Sequence, residues 1–211
     1  MRSLVALASM LFALAVALPA TAQREAQFSA WCYSHDPSPA RNAQVIEGCS
    51  AIIAAGRVSA EKLVLAYENR GIAYSGSGDY RRAIDDYSEA LKLKPSDASV
   101  TLFGRCHFRA IVGDLQAALA DCNESLRLRA SPMAFGTRGL VLLKLGRFDE
   151  AIADYDAELK INAERPASLY RRGVARRKKG DVAGGDADIA AAKALKGDVA
   201  DLLAKWGVSA P

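Results

Sequence analysis

Histidine is almost missing from this chain, with His35 and His107 the two in 211 residues. A zinc site needs three or four Cys, His or carboxylate ligands at set spacings, and the pair Cys32 and His35 has no second half. His107 follows Cys106 directly, and side chains on neighbouring helix positions point about 100° apart, so they cannot act as base and nucleophile. Neither a phosphate-cradling glycine loop nor the Gly-x-Ser-x-Gly pattern of a nucleophile elbow occurs. A strong charge of one sign is missing too: 28 basic residues face 24 acidic ones, a net charge of +4. So mild an excess gives no general attraction to nucleic acid or anionic lipid. These absences predict a non-enzymatic protein with no metal, no cofactor and no nucleic-acid partner.

About half of the residues are apolar and a quarter charged, which suits a folded domain with a real core. Residues 1–22 stand apart: Arg2, an apolar run from Leu4 to Leu18, Pro19 and the small-residue ending Ala20-Thr21-Ala22 read as a signal peptide cleaved before Gln23. Retention as a membrane anchor is the alternative, because the run is nearly long enough to span hydrocarbon. Cleavage would remove Arg2 and no acidic residue, leaving 27 basic and 24 acidic residues. A periplasmic or secreted location follows, with no stable membrane insertion. In an oxidising compartment the four cysteines, Cys32, Cys49, Cys106 and Cys122, favour disulfides, and three pairings are open.

Compared with itself, the chain shows a unit of about 34 residues four times, which points to a solenoid. The segments NRGIAYSGSGDYRRAIDDYSEALKLKP (69–95), GRCHFRAIVGDLQAALADCNESLRLRA (104–130), TRGLVLLKLGRFDEAIADYDAELKINA (137–163) and RRGVARRKKGDVAGGDADIAAAKALKG (171–197) align without a gap. Gly78, Gly113, Gly146 and Gly180 interrupt helical patterns at regular intervals. Ala83, Ile84, Tyr87, Ala90 and Leu91 recur at helical spacing and form a stripe that one short helix pair cannot bury alone. In each unit an arginine precedes an aspartate by sixteen positions: Arg70 and Asp86, Arg105 and Asp121, Arg138 and Asp154, Arg172 and Asp188. With the turn midway between them, the members of each pair stand at one height, which predicts a charge-assisted bond between the two helices, or from the second helix to the next unit.

The joint spacing of Gly71, Gly78, Ala83, Tyr87, Ala90 and Pro95, and of Gly139, Gly146, Ala151 and Tyr155, resembles the tetratricopeptide repeat family. The fourth unit departs from the pattern, with Gly185 at the small position and Ile189 at the aromatic one. The resemblance implies an all-α right-handed solenoid of four helix-turn-helix units, about 64–97, 98–131, 132–164 and 165–197. Residues 23–62 are read as a leading segment with a capping helix from Ala40 to Ala55, after an irregular Asp36-Pro37-Ser38-Pro39 connection. Residues 198–211 are read as a capping helix from Val199 to Trp206, and a tail. In this register Cys106 takes the small position of the first helix and Cys122 the aromatic position of the second, so they should face one another and leave Cys32 for Cys49; free buried thiols are the alternative.

The resemblance also implies a concave surface, lined by the first helix of each unit, that holds a protein or peptide. Its positions are Glu68, Asn69, Ile72 and Ser75, then Phe103, His107 and Ala110, then Gly136, Leu140 and Leu143, then Tyr170, Arg171, Val174 and Arg177. Relatives that clamp a terminal carboxylate use Lys and Asn in this groove; Asn69 is present but the Lys set is not. The basic segment 171–179 reads either as a solvated face or as a place where Arg171, Arg177 and Lys178 receive an acidic segment of the partner. A cell-envelope assembly accessory acting through oligomerisation is the second functional reading.

Overall fold

A computed structural model describes residues 19–33, 41–204 and 207–209. Eleven helices run through them: α1 (Ala20–Cys32), α2 (Asn42–Ala55), α3 (Ala60–Gly76), α4 (Tyr80–Lys92), α5 (Ala98–Val112), α6 (Leu115–Leu128), α7 (Pro132–Lys144), α8 (Phe148–Ile161), α9 (Pro166–Lys179), α10 (Val182–Leu195) and α11 (Val199–Ala204). Each helix packs chiefly on its neighbours in sequence, so antiparallel pairs stack side by side as a right-handed tetratricopeptide-type solenoid. The repeats are α3–α4, α5–α6, α7–α8 and α9–α10, with the first helix of each pair on the inner row. The first unit begins at Ala60, a few residues before the expected 64, because Ser59 caps α3 by accepting from the Lys62 amide.

Local signals set the boundaries. Asp79, Asp97, Ser131 and Asp181 accept backbone N–H bonds at the starts of α4, α5, α7 and α10, and Pro132 and Pro166 open α7 and α9. Gly113 and Gly180 end α5 and α9 in the left-handed region, at φ 85° and 103°, where a side chain would be strained. Inside the hairpins, small residues let aromatic rings sit against backbone. Tyr87 packs between Gly71 of its own unit and Gly104 of the next, and Tyr155 packs on Gly139. In the second unit a bond replaces that contact. Cys106 and Cys122 form a fully buried disulfide with Cα atoms 5.5 Å apart.

The arginine–aspartate pairs run through all four units. Arg70, Arg105, Arg138 and Arg172 each donate through Nε and one terminal nitrogen to both carboxylate oxygens of Asp86, Asp121, Asp154 and Asp188, at 2.6 to 2.9 Å. The second terminal nitrogen turns back to the preceding pair and donates to Ser50, Ser88, Asn123 or Asp156. Each guanidinium therefore joins three helices, within a unit and across the seam. Arg109 and Arg176 add a second arginine to Asp121 and Asp188.

The amino-terminal segment is more ordered than the sequence pattern indicated. Instead of one capping helix, α1 and α2 form a hairpin closed by the buried Cys32–Cys49 disulfide. A Cβ at Gly48 would lie 2.6 Å from the Phe28 carbonyl oxygen, so glycine is what lets the two helices approach. The hairpin docks through α2 on α3, and Ser50 gives Arg70 the back-bond that Ser88, Asn123 and Asp156 give elsewhere. The sequence concealed α1 because it has no side-chain cap and no charge bias at either end, and its first residues merge with the expected signal. It starts at Ala20, ahead of the expected cleavage point, and cleavage there would leave the helix from Gln23 onward. The apolar run 4–18, His35 and the connection 36–39 lie outside the described residues, as does Trp206. At the other end α11 packs on α9 and α10, burying Val199 and Leu203, with Val208 in the same core.

Candidate functional site

The inner row is made by α3, α5, α7 and α9. Helices α5 and α7, and α7 and α9, touch directly, whereas α3 stands further from α5. That difference sorts the expected lining residues. Leu140, Leu143 and Tyr170 are 5%, 7% and 4% exposed and belong to the main core, as do Ala110 and Val174. This corrects their assignment to the partner-binding surface: where inner helices meet, apolar side chains at the groove positions pack on one another. On α3, which stands further from its inner-row neighbour, Ile72 is by contrast 54% exposed. Phe103 and His107 are half-buried, with ring centres 6.3 Å apart, and the edge of His107 meets Phe108.

Two expected polar positions serve the scaffold. Asn69 donates to the Cys32 carbonyl oxygen at 2.9 Å and ties α3 to α1. Glu68 accepts from the Thr101 hydroxyl at 2.6 Å, and its pKa is raised, first by burial and further by the nearby charge of Asp97. In the basic segment, Arg172 and Arg176 bond to Asp188, Arg177 to Asp186 at 2.6 Å, and Lys179 to Asp149. Lys178 is exposed near the end of α9, while Arg171 lies half-buried on the inner row with its Nε fully buried and unbonded among the described residues.

The structure adds residues that the repeat pattern did not single out. Leu65, Val100 and Met133 occupy one equivalent position in three successive units and are 47%, 47% and 56% exposed, an open apolar row along one edge of the inner face. A cleft of about 310 Å³ lies between Leu65 and Val100, with Glu68 and Thr101 in its wall. Their even spacing could have revealed them, but apolar residues at helical period read as core. Lys144, one place beyond Leu143, reaches from α7 to the Ala110 carbonyl oxygen on α5 at 3.2 Å. Burial depresses its pKa and that of His107, and the positive charge of Arg171 depresses both further. Glu158 is 1% exposed; it accepts from Ser168 and Arg165 at 2.7 Å and takes the space that a side chain on Gly136 would fill. No group of three or more His, Cys, Asp or Glu suited to a metal occurs among the described residues. No described helix is long and apolar enough to cross a membrane.

Tetratricopeptide repeat family models match residues 64–97 and 137–200. Protein FlbA of Caulobacter vibrioides is 31% identical over 121 residues, 56% of this chain and 20% of that protein. Human tetratricopeptide repeat protein 36 is 29% identical over 103 residues, 46% of this chain and 54% of that protein. The chain thus spans about half or less of the length of these curated relatives. Among solved structures, MamA from Desulfovibrio magneticus superposes with a TM-score of 0.69 at 16% identity, covering 86% of this chain and 98% of that one, a likeness of fold alone. Repeat models at both ends of the array, one helix-pair register throughout and the solenoid it builds make this chain a member of the tetratricopeptide repeat family, a fold that serves protein interaction in general.

Proposed function

We propose that the protein is an exported scaffold, periplasmic or secreted, that holds a protein or peptide partner against its inner helix row and carries out no catalysis. One observation carries this reading: Leu65, Val100 and Met133 stay exposed at equivalent positions of three consecutive units beside Ile72, where a solvated surface would carry polar residues. A partner segment laid along the row would cover all four. The recurring aspartates of the four units are taken up by the arginine pairs, which supports binding over catalysis. Export is supported by the apolar run near the amino terminus and by two buried disulfides, which persist in oxidising compartments.

A photo-crosslinking residue placed at Ile72 or Met133 in cells, with a control at the exposed Asp85 on the outer row, tests the surface. The expected result is one set of partner proteins captured from the inner sites and not from Asp85. Capture from Asp85 alone would refute the inner-face reading, and capture solely of a second copy of the chain would favour the assembly-accessory reading. Fractionation of the same cells tests export, which cytoplasmic retention of the uncleaved chain would exclude.

A further inference from the structure

Arg171 differs from its neighbours. Of the six basic residues in 171–179, four are held by aspartates, yet Arg171 has no ion pair among the described residues and its Nε is buried without a hydrogen-bond acceptor. A half-buried guanidinium with no bonded counter-charge is a cost to the fold. The field of Arg171 reaches Glu158 on α8, but that carboxylate is bonded by Arg165 and Ser168 instead. Around Arg171 the structure gathers a second cation and a protonatable ring. Lys144 crosses from α7 onto α5 and bonds to the carbonyl of Ala110, one turn after His107 on the same helix. The field of Arg171 reaches both Lys144 and His107. Three consecutive units thus contribute one cation or protonatable group each to a single patch of the inner face, with the Phe103 ring at its edge.

We propose that Arg171, Lys144 and His107 form a carboxylate-binding site that takes an acidic group of the partner segment, with Arg171 as its central donor. A carboxylate supplies the missing acceptor for the guanidinium in a two-pronged bond and offsets the repulsion between Arg171 and Lys144. The set differs from the Lys and Asn arrangement with which relatives clamp a chain terminus, since Asn69 is bound to Cys32. It also revises the sequence-based choice of Arg171, Arg177 and Lys178, because Arg177 bonds to Asp186 and Lys178 is exposed near the helix end. The site rests on the inner-face reading for its biological partner, but the isolated full chain tests it without one.

His107 is one of two histidines, so its imidazole resonances report on the site while those of His35 serve as a reference. The probe is an acetylated, amidated tetraglutamate peptide, with amidated tetraglutamine as the neutral control and tetraglutamine bearing a free terminus as the third arm. Saturable shifts of His107, a rise of its pKa on binding and unmoved His35 are expected from tetraglutamate. Arg171→Gln should weaken that binding by roughly tenfold or more, the loss of one charge-assisted pair. Lys144→Gln should weaken it less, and Lys178→Gln not at all. A response to the free-terminus peptide alone would assign the site to terminal carboxylates. No response to either carboxylate peptide, or equal losses in the Arg171 and Lys178 variants, would overturn the site. Crosslinking from Ile72 would still succeed in that case, so the two failures are distinct.

Discussion

Replacing Asp154 by Ala should destabilise the protein by about 2 to 3 kcal/mol. An exposed ion pair contributes about 0 to 1 kcal/mol, and breaking a fully buried one costs about 3 to 5. The Asp154 side chain is 6% exposed and accepts two bonds from Arg138, which favours the upper range. The Arg138 side chain remains 25% exposed and keeps its bond to Asn123, so water and that amide recover part of the loss. For a chain of this length, such a change lowers Tm by roughly 5 to 10 °C. Asp121→Ala should cost more than Asp154→Ala, because it leaves both Arg105 and Arg109 facing an empty site. Urea unfolding followed by circular dichroism measures each variant, and a double-mutant cycle of Arg138→Ala with Asp154→Ala isolates the pair. A coupling below about 0.5 kcal/mol, the range of a surface pair, would refute the reasoning. An Asp121 variant no less stable than the Asp154 variant would do the same.

Three further outcomes follow from other contacts. Gly104→Ala sets a Cβ 2.2 Å from the buried ring of Tyr87, which has no room to swing away, and should cost about 1 to 3 kcal/mol in the same urea assay. Removing the Cys106–Cys122 bridge as a double alanine variant should cost roughly 3 kcal/mol, and the pair Cys106→Gly with Cys122→Tyr, which rebuilds the contact of the first and third units, should recover part of it. The depressed pKa of His107 means that the unfolded chain binds its proton more tightly. Stability therefore falls as pH drops from about 6.5 towards the folded value, and His107→Asn should flatten that slope in stability measured between about pH 7 and 5.

The sequence by itself determined the repeat, its register and the pairs that the register aligns. A glycine at each turn and an arginine sixteen residues before an aspartate are local in origin, and a helical hairpin converts that interval into a contact. The Cys106–Cys122 pairing was legible for the same reason. Helix α1 was not, because tertiary packing and a disulfide hold a segment with weak local helix signals. Tertiary structure also decided which groove positions face solvent. Periodicity places Ile72 and Leu140 on equivalent sites, but only the closeness of α7 to α5 and α9 buries Leu140, while α3 leaves Ile72 open. Likewise, six basic residues look alike along 171–179 until stacking assigns an aspartate to four of them and leaves Arg171 unpaired beside Lys144 and His107. Local pattern specifies a repeating unit, whereas the free surface depends on how closely successive units approach.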